Sequence, residues 1–495
     1  VTVTRRGLLS GLIGCVAGRA LANAPLSSPR PEARAGFVQG SMPVVARAPD
    51  ALIEAAGLGG EVTYLVADAR TGLFLEARQG HRPMPPASTA KAITALYALE
   101  HLGAGYRFET RLIATGPVEA GRVQGDLVLV GGGDPTLTTD DLGDLVRALA
   151  AAGIRGVTGR FRVWAGALPY IEAIDQSQPV WLGYNPAVSG LNLNFNRVNF
   201  VWKRNGSGYE VGMDARAKRF APKVYSARVT VAERSQPVYS YKNGGRVEEW
   251  SVARRALGKG GSRWLPVRRP DLYAGDVFQT LARAQGVELP APEAADNLPG
   301  GTVVAVHRSA DLAPILRDML KYSNNMTAEA IGMAASSRRG VESHLASGQA
   351  MGDWLKARAD ATNARFADHS GLAGASRISA VDMVQALVEL GPRAGLKGLL
   401  KDIPFHDAKG KRTTAQPARV VAKTGTLNFV STLAGYVSAP GDTELAFAIF
   451  TGDVARRDAV PDAQRERPDG GRDWIRRSKR LQQQLIERWV AVYAA

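Results

Sequence analysis

Ser88 and Lys91 stand three residues apart in Pro85-Pro86-Ala87-Ser88-Thr89-Ala90-Lys91. Side chains at i and i+3 share a helix face, so a Lys91 amine whose pKa is lowered by burial or by nearby positive charge can take the Ser88 proton. Two more short motifs carry related residue types: Ser323-Asn324-Asn325, and Lys423-Thr424-Gly425-Thr426. Singly, the three read as a helix cap, a turn and a strand end. Together they supply the parts of an acyl transfer. Ser88 attacks, Lys91 is its base, Ser323 relays a proton to the leaving amine, and Asn325 holds Lys91 and the substrate amide. Lys423 and Thr424 offer positive charge and a hydroxyl to a substrate carboxylate, and Gly425 leaves room beside the strand. The backbone N–H groups of Ser88 and Thr426 form an oxyanion hole.

Such a site needs a helix start, a loop tip and a strand edge. The prolines before Ser88 stop any preceding element, and Ile93, Leu96 and Leu99 predict a helix over 89–102 with Ser88 at its start and Gly103 as its stop. Free N–H groups in its first turn favour a developing anion. Segments 61–68 and 73–77 around Ala69-Arg70-Thr71-Gly72 predict a hairpin. Helices over 312–321 and 326–335 are broken at 322–325, which brings Ser323 and Asn325 to a loop. A helix over 343–359, a loop at 368–372 and a capping box at Ser379 opening a helix over 380–390 follow. The last hundred residues predict strands at 419–426, 431–439 and 444–451 in an antiparallel meander. A basic loop over 456–472 then leads to a terminal amphipathic helix, with Leu481, Leu485, Trp489 and Val492 in one stripe to cover the sheet.

The chain of 495 residues is long enough for two or three folding units, and its formal net charge of +16 points to acidic surroundings. That charge alone fits nucleic acid, an anionic membrane surface or a polymer bearing carboxylates equally. The six histidines are scattered with no H-E-x-x-H pair, and no P-loop is present, so metal and nucleotide chemistry recede and no cofactor is expected. Gly131-Gly132-Gly133-Asp134-Pro135 lacks the Lys-Ser/Thr of a phosphate loop and reads as a structural turn. Strands are expected near 106–114, 126–130 and 159–164, with a helix over 140–152 between the last two. Residues 165–269, with strands at 191–201 and 224–231, read as a mostly β, basic insertion. Residues 1–24 resemble an export signal: Arg5-Arg6 precede an apolar run and A-x-A sites, which suits a twin-arginine leader. An alternative makes Cys15, the chain's one cysteine, a lipidated N-terminus. A linker follows over 25–36.

In their order and setting, the three motifs resemble those of the penicillin-recognising serine enzymes, which include penicillin-binding proteins and serine β-lactamases. Ser323 follows Ser88 by 235 residues (323 − 88), too many for a compact β-lactamase. That gap, with DLVLVGGGDPTL (126–137), PAVSGLNLN (186–194), YSNN (322–325) and DHSGL (368–372), is similar to the D-alanyl-D-alanine carboxypeptidase/endopeptidase family of low-molecular-mass penicillin-binding proteins. His369 and the Ala373-Gly374-Ala375 after it depart from that pattern.

The resemblance implies an α/β, transpeptidase-like (serine β-lactamase-like) catalytic domain with an antiparallel sheet and helices. It is split over 37–111 and 298–495 and interrupted by inserted mixed or β-rich domains over 112–297, with 165–269 as a nested basic β domain. It further implies a periplasmic enzyme acting on peptidoglycan stem peptides through a Ser88 acyl-enzyme. β-Lactam antibiotics would be its covalent inhibitors, nucleic acid would not be a partner, and the basic surface would lie against wall or membrane. Tyr322-Ser323-Asn324 also satisfies the Y-x-N motif of class C β-lactamases, with Tyr322 as proton carrier, although the long insertion favours S-x-N. No E-x-x-L-N is evident over 165–200, so slow release of a penicilloyl adduct is expected. The alternatives are a β-lactamase and a catalytically inactive wall-binding protein.

Overall fold

The computed structural model describes residues 47–494 apart from 408–409 and 414–416; the export signal, the linker and Cys15 lie outside the described residues. β1 (Glu61–Asp68) and β2 (Phe74–Arg78) form the expected hairpin. Far along the chain, β3 (Lys401–Asp402), β4 (Arg419–Leu427), β5 (Val430–Ala439) and β6 (Thr443–Gly452) follow one another antiparallel, and β6 then pairs with β1. The sheet order is therefore β3-β4-β5-β6-β1-β2. The meander of β4, β5 and β6 follows from their short links, whereas the pairing of β6 with β1 joins the two ends of the described chain.

Eight consecutive residues of β6 are buried, because both faces of the sheet are covered. On one face Ala446, Ala448 and Phe450 pack with the helices α1 (Ala90–Leu102), α2 (Leu312–Tyr322), α3 (Asn325–Ser337), α4 (His344–Ala359) and α5 (Ala380–Glu389). Their neighbours Leu445, Phe447 and Ile449 point the other way, into a core closed by the terminal helix α6 (Gly471–Tyr493). The expected stripe on α6 holds at Leu481, Leu485 and Trp489. Val492, in the final turn, is instead 43% exposed, and Trp474, Ile486 and Val490 complete the buried face.

Between the motifs lies a second, five-stranded sheet built from Leu127–Gly131, Phe161–Trp164 and Glu293–Ala294 with Glu109–Ala114 and Thr302–Arg308. Two three-stranded sheets occupy Arg197–Asn205 to Gly260–Pro266. The strand expected from residue 191 begins only at Arg197. Asn194, Phe195 and Asn196 have positive φ (50°, 58° and 51°), a left-handed turn that asparagine tolerates. Asn196 donates through Nδ2 to the Ala187 carbonyl and to Asn192 Oδ1, so the segment satisfies its polar groups without a ladder. The triple glycine is a structural turn: Gly133 has φ +85° and donates its N–H to the Gly190 carbonyl at 2.7 Å. Among the described residues no helix is long and apolar enough to cross a membrane, and no cluster of His, Cys, Asp and Glu is placed to hold a metal ion.

Trp489 is fully buried against Tyr64 and Phe447, with ring centroids 5.6 and 6.0 Å away, and donates its indole N–H to Glu76 at 3.2 Å. Trp489→Ala should cost about 3–5 kcal/mol. A urea unfolding midpoint unchanged from the parent would contradict this role for α6.

Candidate active site

Ser88 does not cap an α-helix directly. It lies in a 3-10 turn, Ala87–Thr89, and α1 begins at Ala90. Thr89 Oγ1 and Thr432 Oγ1 both donate to the Pro86 carbonyl, at 2.6 and 2.8 Å, which ties the turn to itself and to β5. Ala87 has φ +47°, a left-handed conformation that costs a residue with a Cβ about 1 kcal/mol or more. Two glycines make this approach feasible. A Cβ at Gly371 would lie 1.9 Å from the Ala87 oxygen, and one at Gly425 would lie 2.9 Å from the Ser88 nitrogen. β4 can run past the serine only because residue 425 has no side chain.

Lys91 is fully buried in the first turn of α1. Its Nζ lies 2.9 Å from Ser88 Oγ, 2.7 Å from Asn325 Oδ1 and 2.8 Å from the Ser370 carbonyl oxygen. Burial lowers its pKa to about 8, against the opposing pull of Asp368 and Glu329. No positive neighbour is needed. A neutral amine has two N–H donors and one lone pair, so Asn325 and Ser370 can take the donors and leave the lone pair facing the Ser88 hydroxyl. That is the geometry of a general base.

Ser323 ends α2 with φ +58°, and Asn324 caps α3 by accepting from the Thr327 N–H at 3.0 Å. Asn325 is thus the first residue of a helix, and only Ser323 and Asn324 break the run. Lys423 is buried on β4 and donates to Ser323 Oγ at 2.9 Å and to the Thr424 carbonyl at 2.7 Å. Burial, reinforced by Lys91, holds its pKa well below the ordinary lysine value. Tyr322, the alternative proton carrier, is 68% exposed with Lys321 over its ring. The hydroxyl that meets Lys423 belongs to Ser323.

The cleft over these groups has a volume of about 950 Å³ and is lined by Ser88, Ser323, Asn325 and Thr426. Thr424 and Gly425 line an adjoining cavity. β4 is an edge only in part: β3 pairs with it at Val421 and Ala422, and no described strand pairs with the outer side from Lys423 to Leu427. An extended peptide could add there as a strand.

Several participants lie outside the three catalytic motifs. Glu329, fully buried on α3, accepts the backbone N–H groups of His369 and Ser370, at 3.0 and 2.8 Å, and His344 Nε2 at 2.8 Å. It positions the Ser370 carbonyl that holds Lys91. Burial drives the Glu329 carboxyl up, but the His344 hydrogen bond and charge outweigh it and keep the group ionised. Asp368, raised by burial and then by Glu329, accepts from Ser376 Oγ and the Ala373 N–H, both at 2.8 Å. His369 points inward, away from the cleft, with Nε2 2.6 Å from Ser347 Oγ; burial lowers its pKa to about 4. Gly332 makes room for its ring, since a Cβ there would lie 2.1 Å from the imidazole. Tyr184 also reaches the cleft, its carbonyl accepting from Asn325 Nδ2 at 2.9 Å. Arg457, Arg467 and Arg472, from the segment expected to be a basic loop, line the far wall. Periodicity on α3 makes 329 an inward position, DHSGL (368–372) marks Asp368 and His369, and the basic stretch 456–472 holds the arginines, whereas no signal marked His344 or Tyr184.

Helices against an antiparallel sheet, with Ser88, Lys91, Ser323, Asn325 and Lys423 gathered at its open edge, form the arrangement of the penicillin-recognising serine hydrolases. Residues 46–470 match the model of the D-Ala-D-Ala carboxypeptidase 3 (S13) family, and the chain belongs to that family. It is 29% identical over 440 residues to the D-alanyl-D-alanine carboxypeptidase of Actinomadura sp. (strain R39), covering 81% of this chain and 79% of that protein. It is 24% identical over 423 residues to the D-alanyl-D-alanine carboxypeptidase DacB of Haemophilus influenzae, covering 80% and 87%. The crystal structure of penicillin-binding protein 4 (dacB) from Haemophilus influenzae superposes with a TM-score of 0.72 at 19% identity, over 89% of this chain and 99% of that one. The α/β, transpeptidase-like fold expected from the motifs is the fold observed, and the protein is a serine-type hydrolase.

With Lys91 as base, acylation of Ser88 should rise about tenfold per pH unit below 8 and level off above it. The Asp368 carboxylate raises the Lys91 pKa, so Asp368→Asn should move this rising limb to lower pH. Acylation rates with a labelled penicillin across pH measure it, and a limb displaced upward or left in place contradicts the assignment.

Proposed function

We propose that the protein removes the terminal D-alanine of peptidoglycan stem peptides, and opens D-alanyl cross-links, through an acyl-enzyme on Ser88. The observation that carries this reading is the buried Lys91 amine, 2.9 Å from Ser88 Oγ with its other contacts taken by Asn325 and Ser370. Ser88 Oγ attacks the carbonyl between the two alanines as its proton passes to Lys91. The oxyanion forms beside the Ser88 and Thr426 N–H groups. As the C–N bond breaks, Ser323, held by Lys423, delivers a proton to the departing amine and is reprotonated with the one Lys91 took, which leaves Lys91 neutral again. Water, activated by the same base, then cleaves the ester and restores Ser88. A β-lactam undergoes the same attack, but its leaving nitrogen stays tethered to the adduct.

Lys423, Thr424 and Thr426 are assigned to the substrate carboxylate, and Gly425 to the passage of the strand. The unpaired side of β4 and the size of the cleft support a peptide longer than two residues. The names of the relatives support carboxypeptidase action, and a peptidoglycan substrate, with the leader read from Arg5-Arg6, supports a periplasmic location. The two small sheets and the strands 127–131, 161–164 and 293–294 are assigned to the inserted domains over 112–297; the same five-stranded sheet also takes in 109–114, which straddles the first boundary, and 302–308, which lies past the second, and the basic surface of 165–269 is assigned to the anionic wall.

Mass spectrometry after penicillin treatment should place one adduct on Ser88, and Ser88→Ala should abolish both the adduct and D-alanine release from a pentapeptide, by about a thousandfold or more. An adduct on another residue overturns the site. Rapid penicillin turnover without peptide cleavage would make the protein a β-lactamase.

A further inference from the structure

A second cavity, of about 270 Å³, lies between β4, α6 and the segment after β3. Its walls are apolar: Ile403, Pro404, Phe405, Val420, Leu433 and Ile486. Its charged groups are Lys401 and Lys479, and among the lining residues there is no Asp or Glu. Neither lysine side chain has an ion pair or a hydrogen bond among the described residues. The half-buried Lys401 and the exposed Lys479 line the same cavity, and burial, then the charge of Lys479, lowers the Lys401 pKa. A carboxylate between them would relieve both costs.

The cavity is a built one. Gln483 clamps the 403–406 segment to α6, accepting the His406 N–H at 2.9 Å and donating to the His406 carbonyl at 2.7 Å. Gln482, buried at the base, donates to Ser431 Oγ at 3.1 Å. The wall toward Ser88 includes Gly425 and Thr432, the residues that admit and brace the serine turn from the other side, and Thr424, which lines this cavity and not the cleft above Ser88. None of the groups that hold Lys91 lines it.

We propose that this cavity is a second ligand site, separate from the Ser88 cleft, for a small amphipathic monocarboxylate whose apolar body lies between β4 and α6 and whose carboxylate bridges Lys401 and Lys479. The apolar walls supply the drive to enter and the lysine pair selects the anion. The assignment does not depend on the chemistry of Ser88.

Octanoate is a suitable probe, with octanol as its neutral counterpart, titrated into the full chain by saturation-transfer NMR. Octanoate should bind saturably, octanol at least about tenfold more weakly, and the Lys401→Met/Lys479→Met double variant should lose at least about tenfold in octanoate affinity. That variant should still be acylated by penicillin at Ser88, which shows that it folds. Enzyme already penicilloylated at Ser88 should still bind octanoate. The proposal is overturned by absence of saturable binding, by equal affinity for octanol, by unchanged affinity in the folded double variant, or by loss of binding on penicilloylation. Should the double variant fail to fold, the octanol and penicilloylation comparisons on the parent chain still decide the matter.

Discussion

A lysine amine with no access to water is the constraint on which the site depends. An ammonium group taken from water without partners costs several kcal/mol, so Lys91 is tolerable only where acceptors surround it. Its three acceptors come from Ser88, from Asn325 and from Ser370, the last two 234 and 279 residues away in the chain. The helices that carry Asn325 and the loop that carries Ser370 must therefore be held to α1 within tenths of an ångström. Glu329 does much of this holding by gathering two successive backbone N–H groups of that loop, and His344 balances its charge. The same enclosure that makes Lys91 expensive lowers its pKa, so one physical cost serves as the activation of the nucleophile.

A second constraint is steric. The backbone is left-handed without the help of glycine at Ala87, the residue that aims Ser88, and at Ser323 itself. Such conformations persist only where the surroundings over-determine them. Here the surroundings are Gly371 and Gly425 pressed on either side of Ala87, the two threonine hydroxyls on Pro86, and Lys423 on Ser323. Strain is stored in the turn and the loop, and the sheet and helices absorb it. A rigid nucleophile needs no reorganisation at the moment of attack.

The segments between the motifs also contribute to the cleft. Tyr184 occupies the far end of the Asn325 amide, and Trp181 and Arg263 donate to Glu466, at 2.8 and 3.1 Å, in the stretch leading into α6. The cleft wall formed by Arg457, Arg467 and Arg472 is thereby anchored to residues more than two hundred positions earlier. Removing the region between the motifs would take a hydrogen bond from Asn325 itself, so it is part of the site's construction.

Local chemistry was legible in the chain from the start. Ser88 with Lys91, Ser323 with Asn325, and Lys423 with Gly425 are short motifs whose residue types state their chemistry, and apolar periodicity places them on a helix, a loop and a strand. The meander and the amphipathic α6 were equally readable, because alternation and 3.6-residue spacing are local signals. Val492 and the late start of the strand at Arg197 were not. Packing at a helix end and the left-handed run Asn194-Phe195-Asn196 override pattern there. The roles of Glu329, His344, Tyr184 and the arginine wall were invisible for a different reason. Each is an ordinary residue in its own segment and acquires a role only from partners brought near by folding. The sequence by itself determined which groups could react. Only the tertiary structure decided their distances, the burial that tunes Lys91, and which glycine lets β4 approach Ser88, because desolvation and close contact are properties of assembled surfaces and not of a local run of residues.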